Sequence, residues 1–119
     1  MDILYREEIL QHYQHPRNAG KPATFTHTAK KDNPFCGDEI EVFLMIDNGV
    51  IKDIHFEAKG CAISIASASM LSEMVMGCKV ERVKKLQTND ILTLLKIEPT
   101  PTRLKCALLP LEAIQLALT

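Results

Sequence analysis

Ile40-Glu41-Val42-Phe43-Leu44-Met45-Ile46-Asp47-Asn48-Gly49-Val50-Ile51-Lys52-Asp53-Ile54-His55-Phe56-Glu57-Ala58 is the stretch that decides the fold. Ile40, Val42, Leu44 and Ile46 alternate with Glu39, Glu41, Phe43 and Met45, the period of a strand with one apolar face. Ile54, Phe56 and Ala58 alternate with Asp53, His55 and Glu57 in the same way. Asp47-Asn48-Gly49 between them reads as a hairpin turn. A two-residue Asn48-Gly49 turn pairs Val42 with His55, which mixes polar and apolar residues on one face. A three-residue loop with Gly49 left-handed pairs Val42 with Ile54 and Ile40 with Phe56, and burial favours it. That register sets Asp38 opposite Ala58. It also brings the Cys36-Gly37-Asp38 end of one strand beside the Gly60-Cys61 end of the other.

Working outward, Ile3, Tyr5, Ile9, Leu10 and Tyr13 share one helical face, with Asp2 as N-cap. The helix stops near His15, because Pro16 disfavours helix in the residue before it. Pro16 to Gly20 is a turn, Thr24 to Ala29 a strand, and Lys31 to Asp38 a loop. After the hairpin a helix is expected over Ala62–Met76, stopped by Gly77. Short helices follow near Val80–Leu86 and Asn89–Leu95. Glu98-Pro99-Thr100-Pro101 interrupts the chain before a last helix, Thr102–Leu118. Pro110 within it cannot donate to the Cys106 carbonyl.

The 119 residues make one domain, 1–119, with no linker or repeat. A formal net charge of -1 leaves no basic excess for phosphates, which argues against nucleic acid. No apolar run is long enough to span a bilayer, which argues against a membrane role. The acid-bearing N-terminus reads as neither signal nor transit peptide, so a cytoplasmic location is expected. There the four cysteines stay reduced, and a disulfide framework is not expected.

Scattered buried thiols are the plain reading of such cysteines, but their context differs. Cys36 and Asp38 flank Gly37, which lets both side chains turn toward one spot. Cys61 opens a helix whose free N–H groups put partial positive charge beside its sulfur. Two thiolates and a carboxylate near one point repel unless a cation joins them. Zinc takes such ligands, and iron–sulfur clusters take thiolates. Cys106, flanked by Arg103 and Lys105, offers a fourth ligand. Cys78 reads as an ordinary helix-end residue, and His12, His15, His27 and His55 as structural or solvated.

Four stretches carry a family likeness. They are Leu4-Tyr5-Arg6 with His12-Tyr13-x-x-Pro16-Arg17-Asn18-x-Gly20, then Asn33-Pro34-Phe35-Cys36-Gly37-Asp38, then Gly60-Cys61-Ala62-Ile63-Ser64-Ile65-Ala66-Ser67-Ala68-Ser69-Met70, then Arg103-Leu104-Lys105-Cys106-Ala107-Leu108-Leu109. Across nearly its whole length the chain resembles the IscU/SufU family of iron–sulfur cluster assembly proteins, which includes the N-terminal domain of NifU. The resemblance implies an α+β fold, a three-stranded antiparallel sheet with helices packed on it. It implies a metal or cluster site of Cys36, Asp38, Cys61 and Cys106. Scaffold members take sulfur from a cysteine desulfurase, build a transient [2Fe–2S] cluster and transfer it to recipient apoproteins. SufU-type members bind zinc there and accept persulfide sulfur. Cys106 is the expected sulfur acceptor, with Cys36 and Cys61 as the other thiols. Three departures from the family pattern stand out. Lys105 replaces the histidine that precedes the third cysteine in IscU. Glu98-Pro99-Thr100-Pro101-Thr102 replaces the Leu-Pro-Pro-Val-Lys docking motif, which argues against a dedicated Hsp70-type chaperone. The Cys61–Cys106 segment is shorter than in SufU.

Overall fold

The computed structural model describes residues 3–34 and 37–119, with side chains in the first helix described from Arg6 onward. The expected Asp2 cap and Cys36 itself lie outside the described residues. The order is α1 (Ile3–Gln14), β1 (His27–Asn33), β2 (Asp38–Asp47), β3 (Val50–Lys59), α2 (Ala62–Val75), α3 (Val80–Lys84), α4 (Thr88–Leu95) and α5 (Pro101–Ala117). The three strands form an antiparallel sheet in the order β1-β2-β3. Ile40, Val42, Leu44, Ile54 and Phe56 form its buried inner face, in one core with α2 and α5. The α+β architecture is thus as the resemblance implied. No helix among the described residues is long and apolar enough to cross a membrane.

The hairpin corrects the expected register. Asp47 pairs with Val50, so Asn48 and Gly49 form a two-residue turn, both left-handed at φ 52° and 71°. Ile46 pairs with Ile51 but Met45 with Asp53, which leaves Lys52 as an extra residue. Val42 then faces Phe56 and Ile40 faces Ala58. The turn and the hydrophobic pattern differ in parity, and the bulge reconciles them by inserting one exposed residue. Ile51 and Ile54, an odd number of residues apart, are both buried as a result.

β1 begins and ends later than the expected Thr24–Ala29. Thr26 departs from strand geometry, its hydroxyl donating to the Leu44 carbonyl and accepting from the Ile46 N–H. Lys31 to Asn33 read as polar loop because an edge strand buries little. β2 nonetheless supplies a full ladder down to the Asn33–Asp38 pair. On the outer face Phe43 is buried rather than solvated, covered by the Phe25 ring and the Lys21 ammonium.

α1 meets α2 through polar groups. The His12 Nδ1 lies 2.7 Å from Ser69 Oγ, which also accepts the Arg17 N–H at 2.8 Å. Leu10 and Tyr13, expected on the apolar face of α1, are exposed, while Ile9 and His12 are buried. The following turn covers the outer edge of β3: Phe56 donates its N–H to Asn18 and accepts that of Gly20.

The bulge makes a direct prediction. Deleting Lys52 forces either Ile51 outward or Asp53 inward. Loss of an isoleucine's burial alone costs about 2–3 kcal/mol, readable as a lower urea midpoint. Lys52→Ala, which keeps the count, is expected within about 0.5 kcal/mol of the parent.

Candidate metal centre

Asp38 begins β2, where the β1–β2 connection closes with the Gly37 N–H donating to the Asn33 carbonyl at 2.9 Å. Gly37 is left-handed at φ 73°. Asp38 is 1% exposed, a buried carboxylate that needs donors. Continuing the β2–β3 register one step past Glu39–Lys59 sets Asp38 beside Gly60, not Ala58 as expected. Gly60 is required there twice over. Its φ is 154°, and a Cβ at this position would overlap the Asp38 carboxylate.

Cys61 follows as the N-cap of α2, in extended geometry and with no side-chain cap bond. Its N–H donates to Asp38 Oδ1 at 3.1 Å, and its Sγ lies 3.8 Å from Asp38 Oδ2. Cys106 enters from the second turn of α5, whose start is set by Thr100 as N-cap and Pro101 in its first turn. Cys106 is buried, its Sγ 3.7 Å from the Thr102 carbonyl, whereas Cys61 is half-buried. Ser67 on α2 donates to the Ala107 carbonyl at 2.6 Å, tying the helix of Cys61 to the residue after Cys106.

The ligand atoms of Asp38, Cys61 and Cys106 all lie within 4.8 Å of one another. Ligands of a tetrahedral ion bound at about 2.0–2.3 Å stand roughly 3.3–3.8 Å apart, so small side-chain rotations suffice to close the set. Two soft sulfurs and one hard oxygen fit zinc or the edge of an iron–sulfur cluster. Cys36, the remaining expected ligand, lies outside the described residues, two positions before Asp38 in the chain. Cys78 does not join the cluster: its thiol donates to the Met74 carbonyl at 3.2 Å in a separate groove. Among the described residues no histidine joins it either. His12 is held by Ser69, His27 by Thr26 and His55 by Asp53.

A cleft of about 320 Å³ opens on the cluster, lined by Asp38, Gly60, Cys61, Thr102, Arg103 and Cys106. Arg103 therefore sits where an incoming anion or a ligated thiolate would meet it. Lys105 lines a different cleft, with Asp32, Asn33, Pro34 and Glu112. Two residues apart on a helix is a turn of about 200°, so two cations that look equivalent in sequence face opposite ways. Sequence reading overlooked Ser67. Its signal was a polar residue within the apolar run of α2.

Gly60→Ala is expected to push the Asp38 carboxylate aside, break its bond to the Cys61 N–H and lower Zn²⁺ affinity by about 10–100-fold. Gly37→Ala adds a Cβ into open space and costs only backbone strain, about 1 kcal/mol. Chelator competition and urea unfolding of both variants separate the two effects.

A family model described as the NifU-like N-terminal domain matches residues 4–119. The zinc-dependent sulfurtransferase SufU of Bacillus subtilis is 32% identical, over 97% of this chain and 89% of that protein. The iron–sulfur cluster assembly scaffold protein IscU of Haemophilus influenzae is 32% identical, over 98% and 94% respectively. A crystal structure from Fervidobacterium islandicum, described as an iron–sulfur cluster assembly scaffold protein for the SUF system, superposes with a TM-score of 0.82. It shares 27% identity, with 95% of each chain covered. A NifU-like N-terminal structure from Brucella abortus, 22% identical, shares the fold at a TM-score of 0.78. With three candidate ligands gathered at one end of the sheet and its sequence matched over residues 4–119, this chain belongs to the NifU-like N-terminal domain family.

Proposed function

We propose that this protein is a scaffold for iron–sulfur cluster assembly. In this reading, residues 1–119 act as one unit that receives iron and desulfurase-derived sulfur. The unit holds a transient [2Fe–2S] cluster as its cargo and passes it to recipient apoproteins. The observation that carries the proposal is the convergence of Asp38, Cys61 and Cys106 at an open cleft. A structural zinc site is closed and rich in sulfur or nitrogen. A carboxylate within a sulfur set binds a soft ion less firmly, which suits cargo that must leave. Cys36 completes the proposed ligand set. The partners are a cysteine desulfurase and apoproteins, in the reducing cytoplasm, without a dedicated Hsp70-type chaperone.

A second reading is a zinc-dependent sulfurtransferase of SufU type, with Zn²⁺ held by the same residues. Lys105 before Cys106, where IscU carries histidine, supports it. The scaffold reading is favoured by length: the match to the Bacillus protein runs over 132 positions, more than this chain's 119 residues, so that relative carries residues absent here. The match to the Haemophilus scaffold runs over 120. Iron, cysteine and a desulfurase supplied without oxygen separate the readings. A visible cluster chromophore on this protein is expected, and persistent zinc with no chromophore sinks the scaffold reading.

Sulfur enters at Cys106 in this proposal. Its thiolate attacks the terminal sulfur of the desulfurase persulfide. A new S–S bond forms, the desulfurase S–S bond breaks, and the desulfurase cysteine leaves as thiolate. Arg103, on the wall of the same cleft, draws the anionic persulfide in. Mixing with persulfide-loaded desulfurase, alkylating and mapping by mass spectrometry is expected to place the label on Cys106. Label on Cys36 or Cys61 with Cys106 unmodified overturns that choice.

Metal analysis tests the ligands one at a time. Serine at position 36, 61 or 106 is expected to lower bound metal sharply, while Cys78→Ser leaves it at the parental level. Asp38→Ala is expected to slow loss of a bound cluster to an apoprotein without unfolding the protein, and equal transfer rates in mutant and parent would count against a labile carboxylate.

A further inference from the structure

Ser64 is fully buried, and its Oγ has no hydrogen-bond partner. A buried hydroxyl left unpaired costs stability and calls for a reason. Its position supplies one. Ser64 lies one helical turn inward from Cys61, in the first turn of α2. At 100° per residue it stands about 60° round the helix from Ser67, which contacts α5 at Ala107, and close to the line of Leu71, which faces the core. It therefore faces the core beneath α2, one turn from Cys61 and within about 60° of the face that meets α5. The hydroxyl cannot act as the cap partner of the Cys61 N–H, because the Asp38 carboxylate already accepts that proton.

We propose that Ser64 donates its O–H to the Cys106 sulfur when that sulfur ligates a metal or cluster, an inference that rests on the metal-centre reading above. In the present geometry the Cys106 S–H faces the Thr102 carbonyl at 3.7 Å. A ligating sulfur carries no proton, is repelled by that carbonyl and turns toward Asp38 and Cys61, the residue one turn before Ser64 on α2. Hydrogen bonds to a ligating sulfur tune the strength of its bond to metal. Ser64 is a positioning residue, its hydroxyl satisfied by the sulfur of the loaded site.

The test uses Co²⁺ as a spectroscopic probe in the full chain. Ser64→Ala removes the orphan hydroxyl and favours helix. The metal-free variant is therefore expected to melt at or above the parent's temperature, while its Co²⁺ affinity falls several-fold. The sulfur-to-cobalt charge-transfer band is expected to move to lower energy, because a thiolate without its O–H donor is easier to oxidise. Ser64→Thr, which keeps the hydroxyl, is expected to restore the band. Unchanged affinity and spectrum in Ser64→Ala overturn the proposal. So does a metal-free Ser64→Ala that fails to fold, since the hydroxyl would then be serving the fold and not the site. A parent protein that binds no Co²⁺ overturns the metal-centre reading itself, a different result from a parent that binds it and a variant that binds equally well.

Discussion

The hydrogen bond from the Cys61 N–H to Asp38 Oδ1 joins the end of the sheet to the start of α2, and the candidate metal centre depends on that joint. It does two jobs with one carboxylate. It occupies the first N–H before a helix whose cap side chain, a cysteine, makes no cap bond. It also leaves the second oxygen 3.8 Å from the Cys61 sulfur, where a ligand is wanted. Everything that sets the joint lies outside it. The two-residue turn and the Lys52 bulge choose which residue of β3 meets Asp38. Gly60, without a Cβ, lets the carboxylate come close.

α2 is the element on which α1, the turn after it and α5 are keyed, and the keys are hydroxyls. Ser67 holds α5, Ser69 holds His12 and Arg17, and Ser72 accepts from Asn18. Apolar contact alone is non-directional and tolerates sliding. A buried hydroxyl bonded to a particular carbonyl or ring nitrogen does not, because a slip leaves both groups unpaired. Small serines and alanines also let the neighbouring helices approach closely. The separation of Cys61 from Cys106 is thus set by a directional bond one residue beyond the thiol.

The electrostatics divide across α5. Arg103 faces the thiol cleft and Lys105 the groove beside the β1–β2 connection. The Arg103 guanidinium on the wall of the cleft and the mixed sulfur and oxygen groups at its base suit the exchange that the proposed scaffold requires. A zinc centre that only holds the fold together is closed and uses sulfur and nitrogen, not a carboxylate at an open cleft.

Much of this was legible in the chain. Alternation of Ile40, Val42 and Leu44 with Glu39 and Glu41 declared a strand, Gly77 and Pro16 declared helix ends, and the Gly-flanked cysteines with Asp38 declared a site. These signals are local, set by side-chain period and by the backbone freedom of single residues. The register was not legible, because turn geometry and hydrophobic parity disagree within the hairpin, and a bulge resolves that conflict only when both strands and the helices beneath them are present. β1 was misplaced for the same reason: Lys30 to Asn33 become strand because β2 offers a ladder, not because their own side chains ask for one. Helix period alone turns Arg103 and Lys105 apart, but which of them meets the thiol cleft, the burial of Cys106 and the isolation of the Ser64 hydroxyl are decided by how α5 lies on α2. That is a matter of packing between residues forty apart in sequence, which no local pattern encodes.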